Sequence, residues 1–296
     1  MAGSPSRISG SVLKVDPILA QSLRVRVLSN NSVARWAAWV VVHAFPEWWD
    51  RVCGAYAGIV TLKIAGVDLR YALGPSDPIG DRLYWCGEDV WEPGVVRVFA
   101  ALAKHAQGCI LDIGANCGIY SLLACAVNPN VRVRAWEPVP LLRGRIALSS
   151  AENGFEPRLE VRSAAAGARS GEATFYLHPD PTQGGFTDTS REGQSMTVQV
   201  EAIDDVVPPV EHVALIKIDV EGHEIEALSG LTRILETNRP PVIFECLDTI
   251  RWPKIALFFN TRNYALSAIS DREGLLPTGE FVTGITNYLA EPKPVQ

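Results

Sequence analysis

The sequence predicts an α/β fold, a mostly parallel sheet with helices on both faces. Apolar β-runs alternate with stretches of helical apolar spacing from Cys109 onward. A strand, a glycine turn and a helix follow one another in CILDIGANCGIYSLLACAV, which begins at Cys109. Four of the β-runs end in a carboxylate, at Asp112, Glu137, Asp219 and Glu245.

The 296 residues suffice for one large α/β domain, or for one domain and an extension. With 47% hydrophobic and 20% charged residues, the balance is that of a globular chain that buries its core without covalent staples. The net charge of −6 weighs against a nucleic-acid partner, which calls for a basic face. The six cysteines (Cys53, Cys86, Cys109, Cys117, Cys125 and Cys246) form no C-x-x-C pair, and three belong to the central strand–helix unit. They read as buried thiols rather than a disulfide frame or a zinc site. Met1 to Lys14 is polar and not a secretory signal, and Val33 to Phe45 is short and carries Arg35 and His43. No membrane span is expected, and the cytoplasm is the expected location.

Taken in order, Asn31-Ser32 caps an expected helix from Val33 to about Ala44, which Pro46 stops. Trp36, Trp39, Val40 and His43 share one of its faces, suited to packing on the main domain, to a homodimer contact or to a substrate lid. Ile59–Ile64 and Val67–Tyr71 flank Ala65-Gly66 as a hairpin. These features make residues 1–80 an N-terminal extension and 81–296 the main domain. Gly74 to Pro78 reads as loop, and Pro93 opens a helix to Ala106 with Val95, Val96, Phe99, Leu102 and Ala103 in its stripe. Core strands are expected at 109–113, 131–136, 159–163, 213–218 and 241–244, with helices at 118–127, 140–153, 221–236 and 252–261. Ala173–Leu177 and Met196–Val200 are extra strands around a Gly-rich loop, His178 to Ser195, long enough for a lid. Tyr264–Ile269 and Thr286–Ala290 are late strands.

The glycine turn narrows the ligand. A dinucleotide fingerprint wants G-x-G-x-x-G, but here Asn116 and Ile119 stand in place of the second and third glycines. A P-loop wants Gly-Lys after the turn, and none follows Gly114. What stands here is D-x-G-x-N-x-G. A carboxylate at Asp112 repels phosphate and suits a cationic amine. S-adenosyl-L-methionine, with an ammonium, a sulfonium and no phosphate, fits that chemistry. Gly114, Ala115, Asn116, Gly118, Ile119 and Tyr120 are therefore candidates to hold it, since the turn aims free N–H groups at a ligand. Glu137, followed by Pro138, is placed to accept the ribose hydroxyls. Ser163, Ala164 and Ala165, after the third strand, suit the adenine edge.

In open α/β sheets ligands bind at the carboxyl ends of the strands. Asp219, Glu221 and Glu245 would gather there, and carboxylates in one cleft repel each other unless a cation or a function holds them. Asp219, Glu245, Glu221 and His223 are the candidate catalytic residues, with Asp219 beside Glu245 the first choice to take a proton and His223 a base by its ordinary pKa. Asp219 is also a candidate cofactor ligand. The spacing of these residues is no metal motif, and no metal is expected.

The run VWEPG, LDIGANCGIYSLLA, AWEP, KIDVEGHE and VIFE, in this order over about residues 84–290, resembles the FkbM family of S-adenosylmethionine-dependent methyltransferases. The resemblance implies a class I methyltransferase (Rossmann-like) fold, seven-stranded and mostly parallel with its last strand antiparallel. It implies O-methylation of a hydroxyl on a small natural product, sugar or glycan. Asp112, Gly114, Asn116, Gly118 and Glu137 match the cofactor motif. Asp219, Glu221, Gly222 and Glu224 match the second motif, Glu245 the acid after the next strand, and Glu92 the glutamate of the family's YEP turn, with Trp91 for the tyrosine; by that resemblance Glu92 is a further candidate to hold the cofactor. N-methyl transfer, an NAD-linked oxidoreductase and a non-catalytic nucleoside-binding protein are the rival readings; the missing third glycine speaks against the second of these.

Overall fold

The computed structural model describes residues 57–74, 77–177, 184–186 and 194–294. The expected helix at 33–44, Cys53 and most of the Gly-rich loop lie outside them. Ala57–Gln296 forms one compact unit.

The chain enters as a hairpin, β1 (Gly58–Ile64) and β2 (Val67–Leu73), turning at Ala65-Gly66. Helix α1 (Pro78–Cys86) follows in a stretch that the sequence reading left unassigned, directly after the loop read at Gly74 to Pro78. Its signals were present. Asp77 caps Gly80 N at 2.9 Å, and Pro78 takes the first helical position, where no N–H is missed. Asp77 also accepts from the Tyr71 hydroxyl at 2.8 Å and pairs with Arg145 at 3.5 Å. That buried cluster fastens the hairpin to the helix that carries Arg145. Helix α2 (Pro93–His105) buries Val95, Val96, Phe99 and Ala103, as its stripe predicts.

The main sheet then builds by strand–helix alternation: β3 (Cys109–Ile113), α3 (Ile119–Val127), β4 (Arg132–Trp136), α4 (Pro140–Asn153) and β5 (Leu159–Arg162). Residues 164–166 form β6, which pairs with β8 (Gln194–Glu201), itself antiparallel to β7 (Gly171–Leu177). These three make a small separate sheet. It is tied to the main sheet by Glu201, which accepts from Trp136 Nε1 at 2.8 Å and from Arg162 twice at 2.7 Å.

A short helix α5 (Ile203–Val206) leads to β9 (Val213–Ile218). The helix expected at 221–236 is two, α6 (Glu224–Ser229) and α7 (Thr232–Thr237). Gly230 separates them, because a Cβ there would lie 2.2 Å from the Gly167 carbonyl oxygen. The second helix also gains a cap from elsewhere in the chain: Asp204 accepts from Arg233 N at 2.6 Å and Ile234 N at 3.1 Å. After β10 (Val242–Glu245) come α8 (Trp252–Asn260), β11 (Tyr264–Ser270), β12 (Gly274–Pro277) and β13 (Asn287–Pro292).

The main sheet has eight strands in the order β12-β11-β13-β10-β9-β3-β4-β5. Strands β5, β4, β3, β9 and β10 run parallel, and β13 is antiparallel to β10. Without β12 this is the expected seven-stranded arrangement; β12 adds a hairpin at the edge. The five parallel strands need helical crossovers, so both faces are covered and the runs are apolar throughout. Phe244 stacks on Phe259 and Tyr288 at centroid distances of 5.1 and 5.7 Å, closing the core under α8.

Candidate active site

Register places the candidate residues on one row. Glu245 pairs with Asn287, Phe244 with Ile218, and Ile113 with both Ile218 and Trp136. One position onward, Asn287, Glu245, Asp219, Gly114 and Glu137 follow one another across the carboxyl edge of the sheet. The reading that strand-end acids gather there therefore holds for Glu137, Asp219 and Glu245. It does not hold for Asp112. That residue lies one position inside β3, 2% exposed, and its carboxylate accepts from Ser121 Oγ at 2.6 Å.

A cleft with about 540 Å³ of empty space, part of it open to solvent, lies over β3 and β4. Gly114, Asn116, Glu137, Pro138, Asp219 and Glu221 line it, as expected. Ala115, Gly118, Ile119, Tyr120, Ser163, Ala164 and Asp112 do not. Its apolar walls were not anticipated: Trp136, Val139, Leu142, Ala166, Phe175 and Phe186. Of the three residues read at the adenine edge only Ala165 lines the cleft, with Ala166 beside it, because β6 turns Ser163 out to solvent and buries the residues after it.

The glycine turn has a different primary reason from the one spacing suggested. A Cβ on Gly114 would lie 1.8 Å from the Asp219 carbonyl oxygen, so the glycine lets two loops close on each other. Asp219 N donates to the Ile113 carbonyl at 2.9 Å in the same contact. At Gly118 a Cβ would meet Ile146 at 2.7 Å, so that glycine serves the packing of α3 on α4. Glu92, Asn116 and Glu221 all have positive φ without being glycine, at 44°, 54° and 50°. Each such residue costs about 1–3 kcal/mol, and such strain gathers at functional sites.

Glu137 is held from both sides. Its two oxygens accept from Asn116 N at 2.8 Å and Val139 N at 2.7 Å. Burial nonetheless raises its pKa to about 8, against the pull of those two bonds. Glu245 is raised to about 9 by burial and by the facing carboxylates of Asp219 and Glu221. Burial also raises Asp112, with Lys217 and Ser121 opposing.

The residue that sequence reasoning missed is Lys217, inside the β-run that ends at Asp219. It is 2% exposed. Its ammonium donates to Asp219 Oδ2 at 2.8 Å and lies 4.5 Å from the Tyr120 ring centroid. Burial opposes its charge, yet Asp219, Glu92 and Asp112 hold its pKa above the ordinary lysine range. The Tyr120 hydroxyl in turn donates to Glu92 Oε2 at 2.7 Å. Asp219, Lys217, Tyr120 and Glu92 thus form one connected wall behind the row of acids. A charge inside an otherwise apolar β-run was the available signal.

His223 starts α6 and packs on Phe186 at a centroid distance of 4.5 Å; burial lowers its pKa. It does not line the cleft. Glu224 is buried and accepts from Gly222 N at 2.8 Å, holding the loop shape. Among the described residues no group of His, Cys, Asp and Glu could hold a metal ion, and no helix is long and apolar enough to cross a membrane. Their five cysteines are unpaired.

The cleft suits a cationic nucleoside. Its described lining has apolar walls, the carboxylates of Glu137, Asp219 and Glu221, and no lysine or arginine to hold a phosphate. A sheet of this order, with such a cleft over β3 and β4, defines a class I methyltransferase fold. Residues 112–266, just over half of the chain, match the methyltransferase FkbM domain, and the chain belongs to that family. It is 27% identical to the hexuronic acid methyltransferase AglP of Haloferax volcanii over 195 residues, 64% of this chain and 76% of that protein. It is 25% identical to the 31-O-demethyl-FK506 methyltransferase FkbM of Streptomyces tacrolimicus, over 41% of this chain and 58% of that one. The methyltransferase sdnD of Sordaria araneosa is 29% identical over 41% of this chain and 60% of its own length. The chain thus spans less than two thirds of the length of these last two relatives. Among solved structures, a methyltransferase FkbM from Methylobacillus flagellatus matches 92% of this chain and 58% of that one, at 16% identity and a TM-score of 0.44. At that score the likeness carries no weight of its own.

Proposed function

We propose that this protein is an S-adenosylmethionine-dependent O-methyltransferase acting on a hydroxyl of a sugar or a small natural product. The carrying observation is the row of Glu245, Asp219, Gly114 and Glu137 in a chain of the FkbM family. The substrates in the names of AglP, a hexuronic acid, and of FkbM, a demethylated FK506, support the hydroxyl acceptor.

Glu137 would take the ribose hydroxyls, since each of its oxygens keeps a lone pair beyond the backbone bond it already accepts. Val139, Leu142, Ala165 and Phe175 would enclose the base. S-adenosylmethionine, when bound, supplies a methyl group already activated by its sulfonium charge. The protein's own share is placement, exclusion of water and removal of the acceptor's proton.

Asp219 is the poorer base, because Lys217 already pairs with it. It serves as a fixed negative charge. Glu245 is the better candidate. Burial and the neighbouring carboxylates keep it protonated in the free protein. A cationic ligand beside it lowers its pKa, releases that proton and leaves a carboxylate to receive the one from the acceptor hydroxyl.

Calorimetry with S-adenosylhomocysteine tests the reading. Binding that Glu137→Gln weakens about tenfold is expected, the loss of one hydrogen bond to the ribose. Absence of binding at millimolar ligand would defeat it.

A further inference from the structure

A second cavity, with about 690 Å³ of empty space, opens at the same edge of the sheet over β11 and β13. Polar side chains dominate its wall: Glu92, Ser270, Asp271, Arg272, Thr286 and Asn287. Asn287 is 5% exposed and stands opposite Glu245 in the sheet. Its amide nitrogen faces Glu92 Oε1 at 3.2 Å and Thr286 Oγ1 at 3.3 Å. A carboxylate oxygen only accepts, which fixes the orientation of the amide. The amide oxygen is then buried and meets no donor among the described residues. A buried acceptor without a donor is destabilising, and an incoming hydroxyl that donates to it relieves that cost.

We propose that this cavity is the acceptor subsite, and that it takes a pyranoside through adjacent hydroxyls, one of which donates to the Asn287 amide oxygen. The proposal rests on the methyltransferase reading for its purpose and on the cavity alone for its chemistry. The row order favours it. Glu245 stands between Asn287 and Asp219, so a hydroxyl reaching past Asn287 comes up to the proposed base from the side opposite the first cleft. Glu92, expected from the family resemblance to hold the cofactor, lines this cavity and not the first. It is joined to Asp219 through Tyr120 and Lys217. Glu92, Asn287, Thr286 and Ser270 in its wall offer acceptors and donors at several points, as vicinal hydroxyls require. Arg272, exposed at the rim, would add preference for a carboxylated sugar.

Saturation-transfer NMR on the full chain, with methyl β-glucoside and methyl β-glucuronide, with and without S-adenosylhomocysteine, tests it. Saturation of at least one pyranoside is expected, with about fivefold weaker binding in Asn287→Leu, the size of one hydrogen bond. Thr286→Val, at an exposed position, gives the same reading should Asn287→Leu not fold. Arg272→Ala separates the sources, weakening the glucuronide alone if the acid is read and neither if only hydroxyls are. No saturation of either sugar by the wild type, or equal saturation in the Asn287 and Thr286 variants, overturns the proposal. Failure of S-adenosylhomocysteine to bind would defeat the methyltransferase reading instead, while the measurement without it still decides the cavity.

Discussion

The carboxyl edge of the sheet has two halves built on different principles. Over β3 and β4 the main chain makes the site: Gly114 closes against Asp219, and Glu137 is locked by two backbone N–H groups. Over β10 and β13 side chains make it, Glu245 facing Asn287 with Lys217, Tyr120 and Glu92 behind them. The first half is fixed by backbone contacts and apolar-walled, suited to one constant ligand. The second is polar and rimmed by loops, where variation changes what binds without disturbing the fold. The contrast teaches that one sheet can hold a fixed site and an adjustable one side by side.

The contrast can be broken at the first half by Gly114→Ala. A Cβ 1.8 Å from the Asp219 oxygen, at φ 79°, should cost more than about 4 kcal/mol. A melting temperature lower by roughly 10 °C or more is the expected reading; an unchanged one would mean that the loops are free to part.

Lys217→Met tests whether the second half depends on a buried charge. Removing one partner of a buried pair costs about 3–5 kcal/mol. The loss should be larger at pH 8 than at pH 5, because Asp112, already raised by burial and then no longer opposed by Lys217, sheds its unpaired charge as it protonates. Urea unfolding at the two pH values measures it, and equal losses would show that packing rather than charge is at stake.

Glu245→Gln should lower methyl transfer by about 100-fold or more, the usual share of a general base. The affinity for S-adenosylhomocysteine should stay within about threefold, since the change lies on the acceptor side. A parallel fall in both would place Glu245 with the cofactor instead.

A further effect is on pH and stability. Glu137 and Glu245 have folded pKa values of about 8 and 9, above their unfolded value of 4.5. Raised acids bind more protons folded than unfolded, so their stabilisation is full below the unfolded value and is lost as pH rises through the folded one. Relative to the wild type, Glu137→Gln and Glu245→Gln should therefore gain stability between pH 5 and pH 9 in thermal melts. A difference that stays constant across that range would refute the shifts.

Residue patterns went far on the first half and less far on the second. The β3–turn–α3 unit was legible because its signals are local: an apolar run, a glycine turn, a resumed helical stripe. Helix α1 was missed although Asp77-Pro78 announced it, because Gly74, Pro75 and Ser76 before it read as loop. The break at Gly230 was invisible, since its cause is the Gly167 carbonyl, far away in sequence. Lys217 was hidden in an apolar run because the groups that hold its charge, Glu92, Asp112 and Asp219, come from three separate stretches. Asn287 carried no signal by itself.

The sequence alone determined the class of fold, the family, and the acids that end β4, β9 and β10, because periodicity, turn chemistry and motif spacing are properties of neighbouring residues. Only the tertiary structure decided which of those acids share a row, that Asp112 turns inward to Ser121, and that a second polar cavity opens beside Glu245. Those depend on register and on contacts between distant segments, and it is the pairing of β13 with β10 that sets Asn287 opposite Glu245.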